Sequence, residues 1–292
     1  MIPKVSLEQW ATFKAVVDEG SFARAAEVLN KSQSTVSYSV AKMESRLPAA
    51  LFEQSGRKAE LSSFGQAMYR HASSLLTQAL QVDQFATYLA SGWEPEVVLA
   101  VDGIAPMARV FCSLQEFSQR SPHTRIRVLE TTLSGTEEAL LRREADVVIT
   151  ARVPPGFIGH NYGVINKIAV ASPDHPMAKC EAPLNQSVLR QHRQIVIRDS
   201  GTKREQNAGW LGSEQRWTVS HFSTSIEAVK SGLGFAFIPQ ELIAEELQQG
   251  SLVTLDLDFG GAQQIPLYVV ASAQSDAGLA SKVVVKCLLA EV

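Results

Sequence analysis

Residues 32–47 place small polar side chains on one side of a helical projection and apolar side chains on the other. A helix face exposed to water usually carries Lys and Glu, whereas this one carries short polar groups with one Gln and one Tyr. Such side chains allow close approach to a DNA major groove and can hydrogen-bond the edges of base pairs. The pattern therefore predicts a helix that contacts DNA. The polar face consists of Gln33, Ser34, Ser37, Tyr38 and Ala41, and the apolar face of Val36, Val40, Met43 and Leu47.

Two preceding helices are expected to hold this helix in place. Apolar residues recur at helical spacing in the first of them, which Gly20 ends. Ser21 and Ser32 are expected to be the N-caps of the second and third helices, because a Ser hydroxyl accepts a hydrogen bond from a free amide of the next turn. The third helix should run to about Leu47, where Pro48 prevents its continuation.

A hairpin with a basic tip is expected after the three helices. Short strands are predicted at 51–53 and 59–61, joined by a turn that contains Arg57 and Lys58. A wing of this kind beside a groove-reading helix places positive charge at the phosphates. Over residues 31–58 five basic residues face two acidic ones, which gives a local net charge of +3 in a chain whose total is −3. The alternative is an ordinary three-helix bundle with a surface hairpin.

Several short motifs of this region occur together at fixed spacing. They are Gly20-Ser21-Phe22, Ala25-Ala26, Leu29, Ser32-Gln33, Val36-Ser37, Leu51-Phe52-Glu53 and Gly65. In this order the chain resembles the LysR-type transcriptional regulators over about 60 positions, a far more specific signal than a lone helix-turn-helix pattern. The resemblance implies a winged helix-turn-helix that binds promoter DNA and a C-terminal domain that binds a small-molecule effector.

The resemblance also implies which side chains contact DNA. That family commonly has Arg at the positions of Tyr38 and Gln54, so neutral groups replace two contacts here. Candidate base contacts are Gln33, Ser34, Ser37 and Tyr38, with Ser32 and Thr35 in the same DNA-binding set, and candidate phosphate contacts are Lys42, Arg57 and Lys58.

A long connecting helix is expected next. Ser63 and Gln66 have the spacing of a capping box, and the helix should run to about residue 90. Large apolar residues recur every seventh position, with Ala four places after most of them, which is typical of a coiled-coil seam and predicts dimerisation. The alternative is that this face packs on the chain's own body. The resemblance implies antiparallel pairing of these helices and dimers that often join into tetramers. The dimerisation face is Met68, Ala72, Leu75, Ala79, Val82, Ala86 and Leu89.

Strand-like and helical runs alternate beyond residue 93, which predicts a mostly parallel sheet with helices on both faces. The segment 152–159 is the expected crossover between two lobes. The resemblance implies a periplasmic-binding-protein-like fold here, so the predicted fold class is multidomain: an all-α winged helix-turn-helix, a long linker helix and an α/β two-lobed effector domain. The expected boundaries are 1–62, 63–92 and 93–292, with lobe I at about 93–152 and 266–292 and lobe II at about 160–262.

Ligands in such folds bind beyond the carboxyl ends of strands and at helix N-termini, in the cleft between the lobes. Ordinary helix caps and turn residues are the alternative explanation for each polar residue found there. The effector-binding candidates are Asp102, Gly103, Thr131, Thr132, Ser134, Arg198, Asp199, Ser200, Ser223 and Thr224.

Asp102 is the most informative of these candidates. The resemblance implies Ser or Thr at this position, where it binds an anionic effector. A carboxylate there would repel a carboxylate ligand unless Arg198 balances its charge. We therefore expect a ligand with a cationic or polyhydroxyl group, or no requirement for a ligand.

Composition and motifs argue against other classes of protein. The 292 residues, 45% hydrophobic and 20% charged, suit a globular protein of about two domains. Apolar runs are too short to cross a membrane, and an export signal is not evident, so we expect a cytoplasmic protein without a membrane partner. The three widely spaced Cys residues are expected to be buried thiols rather than a disulfide framework or a zinc site.

Catalysis is not expected. Nucleophile-elbow, dinucleotide-binding and P-loop motifs do not occur, and the six His residues lack metal-ligand spacing, so we predict no catalytic residue, metal site or cofactor. A transporter's solute-binding protein would need an export signal, and a nucleoid protein would carry more positive charge. The expected partners are double-stranded promoter DNA, a small-molecule effector, further copies of the chain in a homodimer or homotetramer, and RNA polymerase as a further candidate.

Overall fold

The computed structural model describes residues 3–55, 58–203, 209–260, 262–272 and 277–290, with side chains for all of these except 54, 55, 58 and 59. The chain forms two compact units, Met1–Ala90 and Ser91–Val292. Within the described ranges, none of the helices combines the length and apolar character that a membrane span requires.

Local caps set the helix boundaries in the first unit. The Ser21 and Ser32 hydroxyls accept hydrogen bonds from the N–H groups of Arg24 and Thr35, as predicted. Gly20 ends the first helix with a φ of 66°, a left-handed conformation that Gly adopts without strain. The elements are α1 (Leu7–Glu19), α2 (Phe22–Val28), α3 (Gln33–Glu44), β1 (Phe52–Ser55), β2 (Lys58–Leu61) and α4 (Ser63–Ala90).

Apolar faces of these helices form the core of the first unit. Phe13 of α1 and Met43 of α3 are fully buried, and the Phe13 ring meets the Phe52 ring edge-on at a centroid distance of 5.6 Å. Val36 and Val40 are buried as well, which confirms the predicted apolar face of α3. The opposite face of α3 is therefore left on the surface.

The third helix ends at Glu44, so the predicted end near Leu47 is wrong. Beyond Glu44 the N–H groups of Arg46 and Leu47 bond to carbonyls three residues back, which tightens the chain into a turn. The Glu44 carboxylate meanwhile accepts hydrogen bonds from the N–H groups of Leu51 and Phe52, at 2.7 and 3.2 Å. The helix ends early because this side chain fixes the chain's entry into the hairpin.

The cap of α4 is Ser62, so the predicted capping box at Ser63 is wrong. The Ser62 hydroxyl accepts from the Gly65 N–H at 2.8 Å and donates to the Ala50 carbonyl at 2.7 Å. A Cβ at Gly65 would lie 2.0 Å from the Leu51 carbonyl oxygen. Glycine is therefore required where α4 begins against the hairpin.

The second unit alternates strands and helices, as the sequence predicts. The elements are β3 (Glu96–Asp102), α5 (Met107–Arg120), β4 (Arg125–Thr131), α6 (Ser134–Leu141), β5 (Val147–Thr150), β6 (Gly159–Ala171), α7 (Gln186–Gln191), β7 (Gln194–Ile197), β8 (Arg216–Val219), α8 (Phe222–Lys230), β9 (Ala236–Pro239), α9 (Ala244–Gln249), β10 (Val253–Thr254), β11 (Ala262–Ala271) and α10 (Leu279–Ala290).

The principal sheet has the strand order β10-β6-β11-β5-β3-β4, with β9 also paired to β6. Strand β3 is parallel to β4 and β5, and β7 is parallel to β8 in a separate sheet, but β6 and β11 pair antiparallel with each other and with their other neighbours. The sheet is thus mixed and not mostly parallel, because the chain runs out along β6 and returns along β11.

Two lobes share this sheet. In lobe I, apolar side chains pack around Val97, Val147 and Tyr162, and in lobe II they pack around Val170 and Ile195. Strand β6 has residues in both cores, so the chain crosses between lobes along this strand and not in the segment 152–159. The first residue of β6 still pairs within lobe I, which explains the difference.

The β6–β11 ladder is irregular near its middle. The register shifts between Leu267 and Tyr268, opposite Gly163, whose φ is 138°. A residue with a side chain rarely adopts this backbone conformation, so glycine is required here.

The expectation that the cysteines are buried holds for Cys287 alone. Cys112 and Cys180 are exposed. Cys112 lies on α5, whose buried positions are Val110, Ser113 and Phe117, so helical spacing turns the thiol away from the core.

Candidate functional site

The outer face of α3 presents polar side chains to solvent. Gln33, Ser34 and Thr35 are exposed, Tyr38 is 68% exposed and Ser37 is half-buried. The first three lie at the start of the helix, where a DNA-reading helix usually contacts bases. Gln offers two donors and one acceptor, and a Tyr hydroxyl offers one of each, so this face can hydrogen-bond several base edges.

Ser32 is placed mainly as a structural cap. Its hydroxyl accepts from the Thr35 N–H at 3.1 Å and lies 2.8 Å from the Ser34 hydroxyl and 2.7 Å from the Thr35 hydroxyl. Three of the predicted DNA-contacting residues therefore bond to one another at the helix start. Gln33 and Tyr38 keep the larger share of the face's hydrogen-bonding capacity.

Basic side chains flank the face unequally. The Lys42 ammonium lies 5.8 Å from the Tyr38 ring centroid and is exposed, where it can contact a phosphate. Lys31 instead pairs with Glu8 at 2.5 Å, and Arg46 donates to the Lys4 carbonyl at 2.8 Å. Two charges in the predicted basic footprint are thus already engaged.

The hairpin tip was predicted to contact phosphates through Arg57 and Lys58. Arg57 lies outside the described residues, and Lys58 pairs with Ser55 in the hairpin, its side chain also outside the description. Sequence reasoning missed Arg24, an exposed residue of α2 that lines a groove together with Gln33. Its position three residues after the Ser21 cap was the signal that could have found it.

The predicted dimerisation face of α4 divides into two parts. Met68 and Ala72 pack in the core of the first unit, so the alternative reading holds for these two positions. Leu75, Val82 and Leu89 are exposed by 41%, 67% and 38%. Ala79 is half-buried and Ala86 exposed. An apolar stripe thus begins at about residue 75.

Asp102 ends β3 and is only 2% exposed. Burial raises the pKa of its carboxyl to about 7, opposed by backbone hydrogen bonds from Ile104 and Leu133, while nearby Asp199 raises it further and Lys167 lowers it. The Ile104 N–H lies 3.2 Å from the carboxylate. This carboxyl therefore titrates near neutral pH.

Lys167 and not Arg198 is the cation that faces Asp102. Lys167 is 7% exposed, and burial lowers the pKa of its ammonium, opposed by Asp102, whereas the Arg198 side chain is exposed. Sequence reasoning missed Lys167. A Lys between Ile165 and Ile168, inside a run of apolar residues, was the signal.

Asp102 and Lys167 line a cavity of about 40 Å³. Gln194 also lines it and donates through Nε2 to the Trp210 carbonyl at 2.8 Å. Its Oε1 is buried and has no hydrogen-bond partner within the described part of the chain. The remaining lining is mostly apolar: Ile104, Leu133, Ile195, Val196, Ile197, Leu211, Phe222 and Phe237, with Thr132.

Five predicted ligand-binding residues instead bond across the lobes. The Thr132 hydroxyl donates to the Arg198 carbonyl at 2.7 Å, and its N–H donates to the Ser200 hydroxyl at 2.8 Å. The Ser134 hydroxyl donates to the Asp199 carboxylate at 2.8 Å. These bonds, together with those of Glu138, form the interlobe contact.

Glu138 of α6 completes the interlobe contact. Its carboxylate accepts from the N–H groups of Thr202 and Lys203, and these hydrogen bonds, that of Lys203 first, lower the pKa of the Glu138 carboxyl. Two glycines allow the approach: a Cβ at Gly135 would lie 2.0 Å from the Ser200 hydroxyl, and one at Gly201 would lie 2.0 Å from the Ser134 hydroxyl.

A second cavity of about 330 Å³ adjoins the first and shares Thr132 and Phe222 with it. Thr131, Gly103, Ser200 and Ser223 line it, which brings these predicted residues together. Thr224 is exposed and lines neither of these two cavities.

The sequence matches two models of known protein families. A family model described as the LysR substrate binding domain matches residues 90–292, and one described as the bacterial regulatory helix-turn-helix protein, lysR family, matches residues 7–66. The chain belongs to the LysR family. As a LysR-type transcriptional regulator it has a DNA-binding helix-turn-helix and an effector-binding domain, and it is not an enzyme.

Relatives and solved structures agree with that assignment. The uncharacterized regulator YeeY of Escherichia coli is 32% identical over 244 residues, 82% of this chain and 79% of its own length. The probable regulator YhaJ of the same organism is 26% identical, covering 85% of each chain. Among structures, this LysR-type regulator shares its fold with CrgA of Neisseria meningitidis (20% identity, 99% of both chains, TM-score 0.54) and with CbnR (19% identity, 97% and 100%, TM-score 0.55).

Proposed function

We propose that the outer face of α3 reads promoter DNA in a symmetric oligomer joined through α4, and that a small effector bound between the lobes controls this binding. The observation that carries the first part is the division of α3: Val36, Val40 and Met43 are buried, while Tyr38 is largely exposed beside Lys42. A large aromatic side chain held at the surface next to a cation suits contact with bases and phosphates.

The exposed stripe of α4 supports the oligomer. It begins at Leu75 and continues through Val82 to Leu89, and a second copy of the helix would cover it. Two-fold symmetry lets two α3 helices contact two half-sites. We infer a homodimer or homotetramer that acts in the cytoplasm on promoter DNA, with RNA polymerase as a further partner there.

The interlobe contact supports control by a ligand. It joins residues 132–138 of lobe I with residues 198–203 of lobe II around the cavity that Asp102 and Lys167 line. A ligand that fits the cavity only when the lobes are closed would shift the population toward the closed form. Closure would then rotate one lobe and change the separation or bend of the paired DNA-binding units.

Selection of duplexes from random DNA by the full chain tests the DNA-reading face. We expect enrichment of an inverted repeat, and Tyr38→Ala should relax the preference at one position of each half-site and weaken binding by about 1–3 kcal/mol. Thr77→Ala, exposed on α4, is the control and should select the parental sequence. Absence of any sequence preference at moderate salt would overturn the proposal.

Footprinting tests whether an effector bound between the lobes controls DNA binding. Once a small molecule that stabilises the chain is in hand, the footprint or the DNA bend angle should change on its addition. Identical footprints and bends with and without that molecule would remove control by the effector, while leaving the DNA-reading face in place.

A further inference from the structure

A groove with a volume of about 640 Å³ lies in lobe I, lined by residues of the segment 156–160, of the end of β11 and of α10. It shares no lining residue with the two cavities between the lobes. Concave sites for small molecules usually have volumes in this range. This lobe I groove is therefore large enough to hold a metabolite, and it is separate from the interlobe site.

Apolar side chains supply much of the lining of the lobe I groove. Phe157 and Val285 are half-buried, and each packs against one of the apolar clusters of lobe I, which holds it in place. Ile158 is 63% exposed. A large apolar side chain left exposed beside a concave surface marks a place where another molecule can cover it. The groove thus offers a fixed apolar surface to a ligand.

Two lysines of α10 give the lobe I groove its charge. Lys282 and Lys286 are four residues apart, so they lie on the same side of the helix, away from its buried positions Val284, Cys287 and Leu288. Both side chains are exposed, and neither ammonium forms an ion pair within the described ranges. None of the described lining residues is Asp or Glu. Like charges at this spacing destabilise a helix, and an anion placed between them would remove that repulsion.

The combination of charge and apolar surface restricts the ligand. An uncharged apolar molecule would leave both ammonium groups without an opposite charge. A small inorganic anion would leave Phe157 and Ile158 uncovered. A carboxylate has two acceptor oxygens, so it can accept hydrogen bonds from two ammonium groups at once. The charge complementarity therefore favours a molecule with a carboxylate at one end and an apolar body.

We propose that the lobe I groove is a second ligand site, which binds an amphipathic monocarboxylate with its carboxylate between Lys282 and Lys286 and its apolar body against Phe157 and Ile158. The proposal goes beyond the proposed function and does not depend on it, because the groove shares no residue with the interlobe cavities.

Calorimetry of the full chain near neutral pH tests the ligand class with four probes: octanoate, octan-1-ol, octylammonium and acetate. We expect octanoate to bind at least about tenfold more tightly than octanol or octylammonium, because it alone combines the apolar body with a negative charge. Acetate lacks the apolar body and should show no binding at about 10 mM. Octanol or acetate binding as tightly as octanoate would overturn the proposal.

Removal of the two positive charges tests the position of the carboxylate. The double variant Lys282→Gln with Lys286→Gln should bind octanoate about tenfold more weakly, close to the affinity for octanol, and should bind octanol as the parent does. Lys179→Gln, at an exposed lysine of lobe II, is the matched control and should keep both affinities. Parental affinity for octanoate in the double variant would place the ligand elsewhere in the chain and contradict the proposal.

A change in the apolar surface tests the position of the ligand body. Ile158→Ser should weaken octanoate and octanol alike, by about fivefold, because both probes lose the same apolar contact. Val164→Ser removes another exposed side chain of lobe I, 54% exposed and outside the groove, and should leave both affinities unchanged. Equal affinities in the Ile158 variant and the parent would show that the body does not lie there.

A second copy of the chain is the other molecule that could cover the lobe I groove. Sedimentation of Ile158→Ser and of the double lysine variant, without any probe, should give the parental oligomeric state, because a ligand site does not join protomers. A smaller oligomer in either variant would assign the groove to an interface between copies and would overturn the proposal.

Discussion

Polar residues are placed differently on α3 and between the lobes. On α3, Gln33 and Tyr38 project into solvent, so their hydrogen-bonding capacity remains available to another molecule. Between the lobes, the Thr132 and Ser134 hydroxyls already donate hydrogen bonds to the Arg198 carbonyl and the Asp199 carboxylate. A polar residue at a predicted site can therefore serve recognition or hold a conformation, and its partners within the chain decide which.

The largest expected effect comes from blocking the interlobe contact. A Cβ at Gly201 would lie 2.0 Å from the Ser134 hydroxyl and 3.1 Å from the Glu138 carboxylate, so Gly201→Ala displaces both side chains and weakens the interlobe contact. We expect a loss of about 3 kcal/mol for the closed form, roughly a hundredfold in the closed-to-open ratio. Small-angle scattering of the full chain should show a larger radius of gyration.

Two further variants check that reading. Gly135→Ala, from the opposite lobe, should have the same effect, because its Cβ would meet the Ser200 hydroxyl. Gln248→Ala, exposed on α9, should scatter like the parent. If both glycine variants keep the parental scattering curve, the interlobe contact does not hold the lobes closed.

A smaller effect is expected at Asp102, whose titration changes the free energy of unfolding with pH. Its pKa of about 7 in the folded chain lies above the ordinary value of 3.8, so between these pH values the folded state holds a proton that the unfolded state has lost. Stability from this group is therefore present below about pH 4 and declines as the pH rises toward 7. Asp102→Asn should remove that decline.

Denaturant unfolding at pH 5 and pH 8 measures the difference. The variant should gain on the order of 1–3 kcal/mol relative to the parent on going from the lower to the higher pH, less than the full shift would give, because pH 5 already lies above the unfolded-state pKa. An equal pH dependence in parent and variant would show that Asp102 is not buried as a titrating group.

The smallest effect is expected at the edge of α3. Lys42 is exposed and contacts only the Tyr38 ring among the interactions described for it, so it can bind phosphate without rearrangement. Lys42→Gln should weaken binding almost equally for all DNA sequences and reduce the slope of log affinity against log salt by about 1. Fluorescence anisotropy over a salt series measures it, with Arg70→Gln as the control. A change in sequence preference would instead make Lys42 a base contact.

The regions differ also in how far the sequence predicts them. The caps Ser21 and Ser32 and the buried face of α3 were predictable, because each depends on neighbours three or four residues away. The partner of Glu138 was not, because Thr202 is 64 residues along the chain and meets it only once both lobes have folded. Lys167 was missed for a similar reason, since its partner Asp102 lies on another strand.

The irregular β6–β11 ladder has a consequence for how far the lobes can turn. Because paired strands and not loops connect them, any rotation must be absorbed as twist around the bulge at Leu267 and Tyr268 and at Gly163 opposite. Twisting a hydrogen-bonded ladder stores elastic energy, so an opened domain is driven back toward its resting angle. A regulator built this way returns to its starting state by itself when the signal disappears.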